Sequence, residues 1–68
     1  MEKLAADDKI VCLNADQSPF LEEGYTYRVT EINMENKLGQ DVFLRKEGEI
    51  NRRICLLIRW GSKNWVKI

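Results

Sequence analysis

Apolar and polar positions alternate with the two-residue period of a β-strand in several short runs of this chain. The clearest is "YTYRVTEI" (25–32), where Tyr25, Tyr27 and Val29 share one face and Thr26, Arg28 and Thr30 the other. Ile32 breaks the alternation beside Glu31, which predicts a bulge or bend near the strand end. "KIVCL" (9–13) is a β-rich run bounded by Asp7-Asp8 and Asn14. "DVFLRK" (41–46) is a strand, "EGE" (47–49) a hairpin tip, and "WVKI" (65–68) a short last strand. In "RRICLLIRW" (52–60), Ile54, Leu56 and Ile58 alternate against Cys55, Leu57 and Arg59. Both faces of its centre are apolar, which predicts a strand in the middle of the sheet or one bending across the core.

The connections carry turn chemistry. "NADQSPFLEEG" (14–24) holds the only proline; Pro19 fixes its own φ and pushes Ser18 into an extended conformation, so a structured loop is expected. Phe20 and Leu21 inside it are expected to tuck under the loop and pin it to the core. "NMENKLGQ" (33–40) reads as a turn, with Asn36 and Gly39 able to take positive φ. "GSKN" (61–64) reads as a tight corner, expected to be a single helical turn before the last strand. Five short strands with one long early loop predict an all-β, five-stranded SH3-like barrel. It would occupy 1–68 as one domain and close by pairing its first and last strands. An OB-like barrel is the alternative; it often places a helix between its third and fourth strands.

Composition narrows the function classes. A chain of 68 residues buries only about 60% of its unfolded surface, so the core is small. With 44% apolar and 32% charged residues, it fits a soluble globular domain rather than a disordered segment. No apolar run approaches the ~20 residues that span a bilayer, and the polar, acid-bearing "MEKLAADDK" is not expected to be a secretory signal. The two cysteines, Cys12 and Cys55, sit among aliphatics and are expected to be free and buried. No CxxC spacing and no histidine accompany them, so neither a metal nor a cofactor is expected.

Catalytic groups are scarce. Without histidine there is no Ser-His or Cys-His pair. The carboxylate pairs Asp7-Asp8, Glu22-Glu23 and Glu47/Glu49 lie in turns among polar neighbours, whereas a catalytic carboxylate needs a desolvated pocket. Phosphate-cradling glycine patterns are absent. The expectation is a protein that is not an enzyme.

Charge is balanced but unevenly spread. Residues 1–34 hold three cations and seven anions; residues 35–68 hold eight cations and four anions. Net neutrality argues against a general nucleic-acid binder, yet this asymmetry permits one basic face. If strands 41–46 and 52–58 pair, Arg45, Lys46, Arg52 and Arg53 converge at one end, with Arg59, Lys63 and Lys67 at the other. These cations form either a contact surface or a solvated hairpin end partly neutralised by Glu47 and Glu49. Large side chains must fill so small a barrel, which assigns Tyr27, Phe43 and Trp65 to the core. Trp60, following Arg59 at a strand end, is the aromatic most suited to anchor a partner.

The stretch "DKIVCLNADQSPFLEEGYTYRVTEI" (8–32) resembles the opening of a group of small bacteriophage and prophage proteins of unknown function. That group begins with a Val-Cys-Ile/Leu-Asn strand, carries a Ser-Pro-aromatic-Leu loop, and continues with Gly-Lys-x-Tyr-x-Val. Gly24, Tyr27 and Val29 match, while Tyr25 stands where lysine is common. The closing "NWVKI" is similar to its last strand, with Asn64-Trp65 in place of Arg-Phe. The first half matches well and the rest loosely. The resemblance implies an SH3-like barrel, a mobile-element origin and hence the cytoplasm of a bacterial host; it implies no activity. The chain does not resemble peptide-binding SH3 domains, since the Ala-Leu-Tyr-Asp-Tyr stretch is missing and no tryptophan opens the third strand. The expected function is a non-enzymatic protein-binding module, plausible as a phage accessory or host-modulating factor, with a host protein as partner. It would bind through Trp60, Arg59, Arg52, Arg53, Arg45 and Lys46; self-association is open to it. The alternative is weak nucleic-acid binding by the basic C-terminal half.

Overall fold

A computed structural model describes residues 2–68. It contains β1 (Lys9–Cys12), β2 (Thr26–Glu35), β3 (Gly39–Lys46), β4 (Ile54–Arg59) and β5 (Trp65–Lys67), with no helix among the described residues. The strands form one antiparallel sheet in the order β4-β3-β2-β1-β5. The first and last strands pair as expected: Val11 faces Val66 on one side and Thr26 of β2 on the other. Among the described residues β4 pairs with β3 alone, so the sheet is not closed between β4 and β5.

Both edge strands nevertheless bury side chains in one cluster. Ile58 of β4 and Trp65 of β5 join Leu4, Ile10, Cys12, Tyr27, Val29, Val42 and Leu44. A sheet whose opposite edges share a core must curl. Period-two alternation supplies the lining: Ile10 and Cys12, Tyr27 and Val29, Val42 and Leu44. At its centre the Trp65 ring meets Tyr27 edge-on, with centroids 5.5 Å apart and planes at 83°. Strand β2 bends where the pattern breaks, with register shifts between Val29 and Glu31 and between Ile32 and Met34.

One end of this core is sealed by the segment before β1. Leu4 is buried, and its backbone is held from both sides by the buried Gln40. The Leu4 N–H donates to Gln40 Oε1 at 2.8 Å, and Gln40 Nε2 donates to the Leu4 carbonyl at 2.9 Å. A buried amide so paired satisfies the polar groups the segment brings inside. Asp7 N–H donates to the Val29 carbonyl, and Val29 N–H to that of Asp8. The Asp8 carboxylate accepts the Ala5 N–H at 2.8 Å and lies 3.4 Å from Lys67 Nζ. The hydrogen bond first, then the ammonium, hold its carboxyl below the usual range against the opposing effect of burial. Gly39 is needed for close approach here: a Cβ on it would drive into the backbone carbonyl of Ile58 across the strand pair.

Several expectations are corrected. Phe43 is not core: Val42 and Leu44 take the inner face, leaving Phe43 on the outer one under the Arg53 guanidinium, 4.3 Å from its ring centroid. Phe20 does not tuck under its loop but is 59% exposed, while Leu21 does pack on the core. The β4 strand is an edge, not a central strand. Both cysteines are free, but only Cys12 is buried; Cys55 is exposed on the edge strand. The 33–40 turn is shorter than expected, because β2 runs to Glu35 and β3 starts at Gly39. The corner at 61–64 is no helical turn: Gly61 takes φ +76°, outside the right-handed helical region, and Ser62 N–H closes on the Arg59 carbonyl.

Candidate functional site

The gap between β4 and β5 is where this sheet offers a surface. The loop between β1 and β2 reaches over the gap without filling it. A groove of about 280 Å³ runs between this loop and β4, walled by Ala15, Phe20 and Leu21 on one side and Ile54, Leu56 and Arg59 on the other. Trp65 also borders it. It continues past Phe20 into a second hollow of about 260 Å³ bordered by Arg52 and Arg53. The groove therefore follows the unpaired side of β4 along its whole length. Edge strands present backbone N–H and C=O groups that another strand can pair with.

The loop wall is built firmly. Gly24 N–H donates to the Cys12 carbonyl at 2.7 Å, and Leu13 N–H to that of Asn64 at 2.7 Å. Asp16 N–H donates to Asn14 Oδ1, and Ala15 N–H to Glu23 Oε2. Glu22 N–H donates to the hydroxyl of the buried Tyr27 at 2.9 Å, tying the loop to the core. Asp16 and Gln17 hold φ of 50° and 63°, the left-handed region that costs L-residues strain. Phe20 is thus an exposed aromatic on a braced support.

The six basic and aromatic positions expected to bind a partner separate into three places. Arg52, Arg53 and Arg59 line the groove. Trp60 is committed to the fold: its indole N–H donates to the Asn36 carbonyl at 2.9 Å, and its backbone N–H to that of Leu38 at 3.0 Å. It locks the β2–β3 turn onto the end of β4 and remains 39% exposed. Arg45 and Lys46 belong to another hollow, at the β3–β4 hairpin beside Arg28. Lys46 is held at 2.8 Å by Glu22, at 4.0 Å by Glu49, and over the Tyr25 ring at 4.0 Å. Its hydrogen bond to Glu22 raises the ammonium above its ordinary pKa. It braces the loop and is no free cation.

Charge pairing divides by residue type. Among the described residues, Lys3, Lys9, Lys46 and Lys67 take the ion pairs, and no arginine takes one. Guanidiniums are the better match for carboxylates and phosphates because they present a planar fork of donors. Phe20, expected to pin the loop to the core, is instead the loop's exposed contribution to the groove. Its position right after Pro19, with no alternating partner, was the available signal. No group of His, Cys, Asp and Glu suited to a metal ion occurs among the described residues, and no helix is long and apolar enough to cross a membrane. No protein-family model, curated protein or solved structure matches the chain.

Proposed function

We propose that this chain is a non-enzymatic protein-binding module on an SH3-like barrel, taking an extended acidic and apolar segment of a partner along the free side of β4. The barrel reading is supported by the pairing of β1 with β5 and by the long β1–β2 loop. The helix-free β3–β4 connection favours it over an OB-like barrel. The observation that carries the binding reading is the groove itself. It combines an unpaired strand edge, an exposed Phe20 on a braced loop, and three arginines against a single lining carboxylate, Asp16. Strand addition takes affinity from main-chain hydrogen bonds and specificity from alternate side chains. Apolar side chains of the segment would enter beside Phe20, Leu21 and Ile54, and its acids would meet Arg52, Arg53 and Arg59. The phage resemblance makes a bacterial host protein the natural partner class.

The test uses a short synthetic peptide alternating valine with glutamate, titrated into isotopically labelled protein. Amide shifts should concentrate on Ile54–Arg59 and around Phe20. Arg52→Glu with Arg59→Glu should weaken binding by about tenfold or more, as loss of buried charge pairing does. Shifts confined to other strands would sink the proposal. So would a concentration-dependent dimer pairing β4 with β4, because the edge would then serve self-association. Single-stranded nucleic acid binding this groove more tightly than the peptide, with steep salt dependence, would favour the nucleic-acid reading.

A further inference from the structure

Along β4 and the residue before it, Arg53-Ile54-Cys55-Leu56-Leu57-Ile58-Arg59 places a cation at each end of an apolar run. The hydrogen-bond phase of the strand follows from its last pair. Gly39 faces Arg59, and one step further the Trp60 N–H donates to the Leu38 carbonyl opposite at 3.0 Å. In an antiparallel ladder, bonded pairs alternate with unbonded ones. Ile58, Leu56 and Ile54 therefore bond to β3, while Cys55, Leu57 and Arg59 turn their N–H and C=O groups to the free edge. The Arg59 carbonyl accepts the Ser62 N–H, but among the described residues no loop group bonds the backbone of Cys55 or Leu57. Side chains follow the same alternation. Ile58 is in the core and Ile54 and Leu56 pack against it, so Cys55, Leu57 and Arg59 belong to the outer face. Arg53 is on that face too, its guanidinium lying over the Phe43 ring. Both arginines are exposed, and neither has an ion pair among the described residues.

We infer that Arg53 and Arg59 select the partner segment by spacing: two carboxylates six residues apart, with uncharged residues between them. The inference rests on the groove reading above and names the pattern that the groove takes. A strand added to β4 keeps pace with it at ~3.3 Å per residue. Its residues opposite Arg53 and Arg59 are then separated as the arginines are, and face outward like them. Opposite charges in directly opposed positions stabilise a strand pair, and like charges destabilise it. Between the two ends, the outward positions meet Cys55 and Leu57, which offer no cation. Asp41 faces Leu57 from β3, with its Oδ1 4.0 Å from Cys55 Sγ, and its charge disfavours an acid there. The inward positions lie beside Ile54, Leu56 and Ile58 and take apolar side chains. The same two arginines turn away a second copy of the chain. The antiparallel register that overlaps the whole strand would set Arg53 against Arg59 of the other copy at both ends. Charges on an edge strand guard against such pairing. An acidic segment of another protein is the occupant that both ends accept.

The experiment titrates two end-blocked peptides of one composition into isotopically labelled protein at low ionic strength. Glu-Val-Thr-Val-Thr-Val-Glu carries its acids at the two ends; Thr-Val-Glu-Val-Glu-Val-Thr carries them near the centre. The first should bind about fivefold more tightly, the advantage that two exposed ion pairs supply, with amide shifts on Cys55, Leu57 and Arg59. Arg59→Glu should remove that preference, and a peptide with lysine in place of one terminal glutamate should become the tightest ligand of the variant. Arg59 is exposed and outside the core cluster, so the variant should keep a dispersed amide spectrum. Equal affinity for the two peptides, with shifts still along β4, overturns the spacing rule and leaves the groove reading standing. Binding of neither overturns the rule as well, and the groove reading falls with it only if the valine–glutamate peptide also fails. A parent protein that dimerises through β4 refutes the rejection of a second copy.

Discussion

At Gly39–Gln40 the end of the curled sheet is stopped by Leu4, whose backbone polar groups are both met by one buried glutamine. Along β4 the β1–β2 loop comes equally close in sequence terms, with Phe20 and Leu21 available, yet leaves a groove of about 280 Å³. The sealed end joins an apolar plug to satisfied hydrogen bonds. The open side joins an exposed aromatic to arginines without acidic partners among the described residues. The difference teaches where stability is concentrated. A domain of this size has a net stability of only about 5 kcal/mol, so disturbing the buried, hydrogen-bonded Leu4 end should be felt by the whole fold, whereas the exposed groove should change with little cost.

Leu4→Ala is the strongest way to break that contrast. Truncating a buried leucine costs about 2–5 kcal/mol, enough to leave a marginal domain largely unfolded. Urea denaturation with a matched Phe20→Ala variant provides the reading: Phe20→Ala should fall within about 0.5 kcal/mol of the parent, as exposed substitutions do. Equal losses in the two variants would mean that the loop wall is part of the core. Gln40→Leu comes next. It strands the Leu4 N–H and carbonyl without partners, each a loss of about 1–3 kcal/mol when a buried polar group is orphaned. A thermal midpoint unchanged in Gln40→Leu would show that water reaches this end.

How much of this division is legible in the sequence depends on periodicity. Tyr27 and Val29 announce themselves by alternation, and so does the bend near Ile32. For Phe43 the bulk of the ring points to the core but its phase does not; Val42 and Leu44, two apart, already occupy the inner face. In β4 the apolar excess on both faces suggests a central strand, but its unpaired edge borders a groove instead of a neighbouring strand. Leu4 gives no periodic signal, standing alone in a polar stretch, and its partner Gln40 is 36 positions away. Such a pairing emerges only when the chain is folded. The three groove arginines were singled out by charge; that they share a wall with Phe20, and that Arg45 and Lys46 do not, is a product of the loop's path.

A smaller effect lies in pH. The carboxyl of Asp8 is held down by the Ala5 N–H and by Lys67, so its folded pKa is below its unfolded value. A depressed acid adds stability that is present above the unfolded pKa, about 3.9 for aspartate, and lost as pH falls through the folded value. Asp8→Asn should therefore flatten the acid limb of stability measured by denaturation between pH 5 and pH 2, roughly the span over which such a group titrates, and leave peptide affinity at neutral pH unchanged. An acid limb identical to that of the parent would remove Asp8 from the sealing of this end.

The least disruptive probe is chemical modification of the two thiols, which lie on opposite sides of the comparison. Cys12 is buried, and burial, reinforced by Glu23, pushes its thiol pKa up; Cys55 is exposed and borders both parts of the groove. The thiolate is the reactive form, so an aromatic disulfide reagent should modify Cys55 rapidly in the native protein and reach Cys12 only as the fold opens. Because the Cys55 side chain lies outside the core cluster, the adduct should shift the unfolding midpoint little. It should still obstruct the edge of β4 and abolish binding of the valine–glutamate peptide. Equal rates at the two cysteines would erase the distinction between a sealed and an open side. An adduct that leaves peptide affinity intact would keep the distinction but deprive the open side of its proposed use.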